Sequence, residues 1–567
     1  MRDTLRTLRT SSGWTGRTLF DALGCEPNTI SPNALLAEIH NWRDSNQLLA
    51  VSLREQPGTD SPNSRGEVLE ILPQTGPGAS VGLTEAGDAV AGQILARLAD
   101  VRLLSADSSE TLRRFIILGG PTPARITCLT TARRILENRS SRFDNNDPPQ
   151  HAYPQTVFRI RHDLDDLSRK LRAADLEEVF KLECDLIAVT HAMQARGIRV
   201  DRDGLRRAAD TRRNEMEEAV EALRASLGDR KLNPNDNDGL LKAIRGRGVE
   251  LPGTSREDLL TVNHPAVEPL LRYRQAKAVA DDAEECLRHV GKDGRLHPDW
   301  DALGADTGRY SCARPALQSL SRDSRLRRCL IPNPGNVFVR CDFAAADLRP
   351  LAHLSQDKRL IETFRRGEDI HRKTAAALLD KSVADVTAED RKISKLVIFA
   401  VVYDVTQEGL CIQAAVQHGL EWTPDYARNL MRRFFELHPG LADYRRKLKT
   451  LATTATESRS IALRRRKLLP PGREHEGYRF RCLLNMPAQG TVADAVKRAM
   501  VRLHQQLPPS AWIVANLHDE LVVEAPAGLG QNIAVFLECT MSLALQRMIP
   551  SVPVKAEAKI TTSLGPE

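Results

Sequence analysis

The sequence predicts two parts of different class: a mixed α/β region over about residues 42–139, and a larger, mainly helical α+β region from about Asp163 to the last residue. Three observations carry this reading. In the first part, short apolar runs such as Leu48–Leu53 and Val68–Leu72 alternate with helix-period stretches such as Val90–Leu98. In the second, apolar positions recur at helical spacing, most clearly over residues 202–227, with charges of both signs between them. Two strand-like segments interrupt those helices: Val337–Cys341, and the pair Trp512–Leu517 and Leu521–Glu524 around His518-Asp519-Glu520. Residues 139–155, rich in Asn, Asp and Pro, read as a linker.

At 567 residues the chain has the length of roughly three or four domains and can bury a core without disulfides or metals. Its 41% hydrophobic and 27% charged composition suits neither a membrane protein nor a disordered acidic chain, and it holds no uninterrupted apolar run long enough to span a bilayer. Lys plus Arg (81) exceed Asp plus Glu (74) for a net charge of +7, a mild excess that suits a nucleic-acid partner without requiring one. The ten cysteines are scattered singly, with no zinc-ligand spacing, which argues against a metal or disulfide framework and for a reducing compartment. Near the start, Arg2, Arg6, Arg9 and Arg17 stand against a single acid, Asp3. This reads as the basic start of a bacterial or phage chain, with an organellar transit peptide as the alternative.

Chemistry concentrates where the strand segments end. Val337–Cys341 leads into Asp342, and a carboxylate at a strand end is held rigidly and can project into a cleft. Taken alone, Asp342 also suits a helix N-cap. His518-Asp519-Glu520 occupies the tip of an apolar hairpin, where Gly or Asn is usual; three ionisable residues there suit either a solvated turn or a functional one. Together, carboxylates from two strands suit a pair of Mg²⁺ ions about 3.5–4 Å apart, which activate a hydroxyl and stabilise a leaving phosphate oxygen. Arg391, Lys395, Phe399 and Tyr403, spaced four apart, fall on one helix stripe. Two cations followed by two rings suit a triphosphate followed by a sugar and base; a helix with a basic end and a core-facing aromatic end is the plainer alternative.

Further motifs lie around these in a fixed order: Thr307-Gly308-Arg309 with Leu317-Gln318, Asp342 to Arg349, Asp369-Ile370-His371, Arg391 to Tyr403, Asn485 to Thr491 with Ala493-Asp494, and His518-Asp519-Glu520. The set resembles family A DNA polymerases, the DNA polymerase I type, over Leu182–Glu567. The resemblance implies an extension over 1–40, an α/β exonuclease-like (RNase H-like) domain over 41–165, and an α+β right-hand polymerase over 166–567. Within the latter, the thumb would span about 201–294, the palm about 295–357 and 470–567, and the fingers about 358–469.

Roles follow from the same resemblance. Asp342 and Asp519, with the Phe343 carbonyl, would bind two Mg²⁺ ions, which Mn²⁺ can replace. His371, Arg391 and Lys395 would hold the dNTP triphosphate, Lys395 donating a proton to pyrophosphate. Phe399 would pack on the sugar and Tyr403 would border the template base. Arg309, Gln318, Asn485, Gln489, His518 and Glu520 would contact primer-template DNA. Arg272, Arg274 and Lys277 in the thumb, and the run Arg464-Arg465-Arg466-Lys467, would lie near phosphates, solvated faces being the alternative.

Three departures stand out. Asp347 replaces the nucleotide-binding glutamate that screens out a 2′-hydroxyl, Asp404 replaces a Gly, and Phe399, where some relatives carry Tyr, implies discrimination against dideoxynucleotides. In the first third, Ser52 and Arg54 stand where exonuclease carboxylates belong, so a degenerate exonuclease is expected, an unrelated α/β module being the alternative, with no room for a 5′-nuclease. The expected activity is template-directed DNA synthesis without proofreading, by a cytoplasmic monomer with no membrane association. A DNA-binding accessory and a single-subunit RNA polymerase-like enzyme are the competing expectations.

Overall fold

The computed structural model describes residues 157–565 apart from 322–323 and, before them, residues 28–29, 31–44, 48–57, 65–72, 79–82, 88–99, 101–105, 112, 123 and 125–137. The Arg-rich start and the linker over 139–155 lie outside the described residues. The chain forms two compact units, Met1–Ala192 with Ala302–Asp306, and Met193–Asp301 with Thr307–Glu567.

The first unit contains β1 (Asn28–Thr29), α1 (Pro32–Asp44), β2 (Leu48–Pro57), β3 (Arg65–Leu72), β4 (Ala79–Gly82), α2 (Asp88–Ala99), β5 (Arg102–Ser105), β6 (Arg125–Cys128), α3 (Leu129–Glu137), α4 (Val157–Ala173) and the start of α5 (Glu177–Arg196). Its sheet runs β1-β4-β3-β2-β5-β6; β2, β3 and β4 form an antiparallel meander, and β5 and β6 extend it in parallel from β2. Strand alternation sorts the side chains. Leu49, Val51, Leu69, Ile71 and Leu103 join a core with Leu35, Ile39, Ile94 and Leu98. Ala50 and Leu104 face the opposite core, with Leu129, Ile135, Leu167 and Leu171. The α/β expectation for this region therefore describes what forms.

In the second unit α6 (Arg202–Leu227) fills the predicted amphipathic span, starting on an Asp201 N-cap whose side chain accepts from the Gly204 amide at 2.8 Å and stopping at Gly228 in the left-handed region. It packs on α7 (Val267–His289), burying Leu205, Leu223 and Ala280. The cations expected to face DNA from α7 are engaged within the protein. Arg274 donates to the Asn237 side chain at 2.8 Å and to the Thr254 carbonyl, and Lys277 pairs with Asp281 at 2.5 Å. Arg272 lies 3.7 Å from Glu268. Arg274 thus ties α7 to the 237–254 segment, which corrects its reading as a phosphate contact.

The chain continues through β7 (Asn336–Phe343), α8 (Leu348–Ser355), α9 (Lys358–Arg365), α10 (Ile370–Leu378), α11 (Ala388–Tyr403), α12 (Gln407–His418), α13 (Pro424–Leu437) and α14 (Pro439–Leu451). After α15 (Glu476–Gln506) come β8 (Trp512–Leu517), β9 (Glu520–Pro526), α16 (Gly530–Gln546) and β10 (Ala556–Thr561). The last strands and β7 form an antiparallel sheet, β8-β9-β7-β10. Ala527–Gln546, which includes α16, is long and apolar enough to cross a membrane by length and composition alone, a span that unbroken apolar runs do not reveal. Its residues Ile533, Leu537, Met541 and Leu545 are nevertheless buried in this unit.

Candidate active site

β7 runs farther than the apolar pattern indicates. Asp342 is a strand residue opposite Glu557 of β10, which corrects the helix N-cap alternative; α8 begins only at Leu348, after a turn. The β7–β9 ladder ends at Cys341–Leu521, leaving Asp342 beyond its last pair. Its side chain reaches solvent, yet crowding by protein, and then the charges of Asp519 and Glu520, push its carboxyl up to about 7.

Asp519 comes from the hairpin. Leu517 pairs with Glu520, so the turn holds two residues, His518 and Asp519, and the expected three-residue tip is corrected: Glu520 opens β9. The turn has no glycine. His518 takes φ +64°, and the buried Asn516 amide donates to the His518 carbonyl at 3.1 Å, bracing the bend. Gln318 donates to the Asn516 carbonyl at 3.0 Å, so its amide supports the hairpin from outside. Glu520 is locked in a two-pronged ion pair with Arg340, at 2.5 and 3.1 Å, while His518 is exposed. Burial also raises the Asp519 carboxyl, against the lowering effect of Arg309.

Arg309 joins this pair to the end of α11. Its guanidinium lies 3.3 Å from Asp347 and 3.7 Å from Asp519, and the Tyr403 hydroxyl donates to the other Asp347 oxygen. Asp347, one methylene shorter than glutamate, therefore still bridges Arg309 and Tyr403.

The stripe on α11 forms as its spacing predicts. A Thr387–Asp390 capping box starts the helix; Ser394, Val397, Ile398 and Val401 are buried, while Arg391, Lys395 and Phe399 are exposed. Phe399 is 49% exposed, too open for a core residue, and its ring lies 5.1 Å from that of Tyr403. Arg391 donates to Asp369 at 2.8 Å, and Asp369 caps α10 through the His371 amide at 2.9 Å. Lys395 has no carboxylate partner among the described residues. His371, the next group of the expected triphosphate set, is held at about 4 by burial and by Arg391 and Lys395. Without a ligand it is therefore a neutral imidazole near neutral pH, not a third cation. At the end of α11, Asp404 adopts the left-handed conformation (φ 57°) that favours Gly, and its carboxylate pairs with Arg445 at 2.5 Å.

The basic run 464–467 is the clearest correction. Arg464 is buried, its guanidinium 2.7 Å from buried Asp494, whose other oxygen accepts from Ser460 at 2.7 Å. Removing one partner of such a pair costs about 3–5 kcal/mol. Arg466 stacks over Tyr478 and Arg465 lies 3.8 Å from Glu457, leaving Lys467 as the exposed cation of the four. Arg464 also explains Gly308, which has φ +83°: a Cβ there would meet Arg464 Cδ at 2.3 Å. Gly308, Arg464 and Asp494 thus hold the backbone beside Arg309, a positioning set invisible in the linear charge pattern. Asn485 and Gln489 are half-buried one turn apart on α15, and Asn485 Oδ1 is buried without a hydrogen-bond partner.

Residues 230–565 match DNA polymerase family A. The chain belongs to this family. As a family A member it is 31% identical to DNA polymerase I of Aquifex aeolicus (strain VF5) over 312 residues, 54% of this chain and 53% of that one. It is 28% identical to DNA polymerase I of Chloroflexus aurantiacus (strain ATCC 29366 / DSM 635 / J-10-fl) over 405 residues, covering 67% of this chain and 42% of the relative. The chain thus spans about half or less of the length of these relatives. The POL domain of Pol1 from M. smegmatis, solved in complex with DNA primer-template and dNTP, shares the fold with a TM-score of 0.81 at 22% identity, covering 95% of this chain and 99% of that one.

Proposed function

We propose that the chain is a template-directed DNA polymerase that adds a nucleotide to a primer 3′-hydroxyl and releases pyrophosphate. The observation that carries this reading is the continuous line Tyr403–Asp347–Arg309–Asp519, which ties the cationic and aromatic stripe of α11 to the paired carboxylates. We assign the thumb to about 201–294, the fingers to about 358–469, and the palm to the segments on either side, as the sequence suggests.

The residues fit divalent metal. Burial raises both carboxyls, and Asp519 raises Asp342 further, while among the described residues no third His, Cys, Asp or Glu completes a cage. Such a sparse set suits Mg²⁺, which keeps waters and shares substrate phosphates. Asp342, Asp519 and the Phe343 carbonyl would hold two ions. When bound, these supply activation of the 3′-hydroxyl and stabilisation of charge on the departing oxygen. Lys395 and Arg391 hold the triphosphate, with neutral His371 as a hydrogen-bond partner, and Lys395 hands a proton to leaving pyrophosphate. Phe399 and Tyr403 border sugar and base. Arg309, Asn485 and Gln489 face the nascent pair, where minor-groove acceptors are common to all correct pairs.

Two expected results follow. Because the folded-state carboxyl of Asp342 is raised to about 7, above its ordinary value, protonated Asp342 stabilises the metal-free protein in acid, and that stability is lost as pH rises through about 7. A divalent cation competes with the proton, so Mg²⁺ should raise the melting temperature more at about pH 8 than at about pH 6. Equal increments at both pH values would separate the metal from this pair. Asp347→Ala should lower the preference for dNTPs over NTPs by ~10–100-fold, read as a ratio of kcat/KM, because the carboxylate held by Arg309 and Tyr403 is the sugar gate.

For the first unit we propose a degenerate exonuclease-like domain. The meander extended by two parallel strands supports an RNase H-like sheet, and Ser52 and Arg54 lie on central strand β2, opposite Glu70 and Val68. Primer extension on a defined template with Mg²⁺, comparing dNTPs with NTPs and adding a mismatched primer, tests both proposals. Extension with dNTPs and no trimming is expected. No extension would favour a DNA-binding accessory, and trimming would overturn the degenerate reading.

A further inference from the structure

We propose that a cavity between α9 and α10 binds a chain of linked phosphates, at a site distinct from the stripe on α11. The cavity measures about 1100 Å³ and is lined by α9, α10 and the joint of α13 with α14 at Leu437-His438. That volume is far more than one inorganic phosphate fills and suits a ligand of nucleotide size or several phosphates in a row.

Its wall is cationic. Lys358, Arg359, Arg365, Arg366, Lys373 and Lys381 line it, against one lining carboxylate, Glu362. Three of the six have acidic partners: Arg366 with Glu362 at 2.8 Å, Lys373 with Glu368, and Lys381 with Asp390 at 2.7 Å. Lys358, Arg359 and Arg365 have no carboxylate partner among the described residues. Cations gathered on one concave wall repel each other until an anion enters, and guanidinium forks match phosphate oxygens.

Thr374, on α10, lines the cavity with only 2% of its surface exposed, and its hydroxyl has no hydrogen-bond partner. No Phe, Tyr or Trp lines the cavity, so it offers phosphate recognition without a platform for bases. The linked phosphates could be a free polyphosphate or the backbone of a nucleic acid strand. This inference does not rest on the polymerase reading.

The test is calorimetric titration of the full chain with inorganic tripolyphosphate. Tripolyphosphate should bind this site in the wild type and to the same degree in Lys395→Ala, which keeps the site apart from the stripe on α11. Combining Lys358→Ala, Arg359→Ala and Arg365→Ala, all exposed positions, should weaken this binding at least ~tenfold. Displacement of tripolyphosphate from this site by a short single-stranded oligonucleotide assigns the phosphates to nucleic acid; failure to displace assigns them to a free polyphosphate. Unchanged binding in the triple variant, or equally effective displacement by polyglutamate, would overturn the proposal.

Discussion

Asp519→Asn is expected to lower the rate of nucleotide incorporation about a thousandfold while leaving primer-template affinity within about twofold. The substitution keeps the size of the side chain at the hairpin tip and removes one of the two carboxylate charges, the one with Arg309 3.7 Å away. The turn itself should survive, because it is braced by the Asn516 amide and not by Asp519. Single-turnover kinetics beside a filter-binding or anisotropy titration separates the two effects. Loss of DNA affinity in step with loss of rate would make Asp519 a structural residue, and unchanged rate would remove it from the metal set.

Lys395→Ala should have the second largest effect, a fall in kcat/KM of ~10²–10⁴-fold. Of the three triphosphate candidates, Lys395 alone offers an uncompensated charge. Arg391 is already bonded to Asp369, whose carboxyl that bond holds low against the effect of burial, and His371 is neutral. Arg391→Ala should therefore cost less, ~10–100-fold, and the order Lys395 before Arg391 is itself testable by measuring both variants with one template and nucleotide. A larger loss in Arg391→Ala would show that the Asp369 bond opens when nucleotide arrives.

The features that local periodicity encodes were legible in the sequence. The four-residue spacing of Arg391, Lys395 and Phe399 required one face, and α11 exposes that face because the residues between are apolar and buried. The alternation in Val337–Cys341 and the span 202–227 likewise became β7 and α6. What eluded the sequence was pairing across distance. A run of four cations reads as lying near phosphates or on a solvated face, yet Arg464 finds Asp494 on another element and is buried. Glu520 reads as a turn residue until Arg340, 180 positions earlier, is placed beside it. Arg274 reads as a phosphate contact until the 237–254 segment folds over it. Gly308 has no local signal at all, since the atom that excludes a Cβ belongs to Arg464.

The most direct measurement is incorporation of a single nucleotide on four primer-templates that differ only in the first unpaired template base, each supplied in turn with all four dNTPs and Mg²⁺. The prediction is fast incorporation of the complementary dNTP in each case, with one pyrophosphate released per primer extended. Incorporation that ignores the template base, or none with any of the sixteen combinations while the protein binds the primer-template, would contradict it.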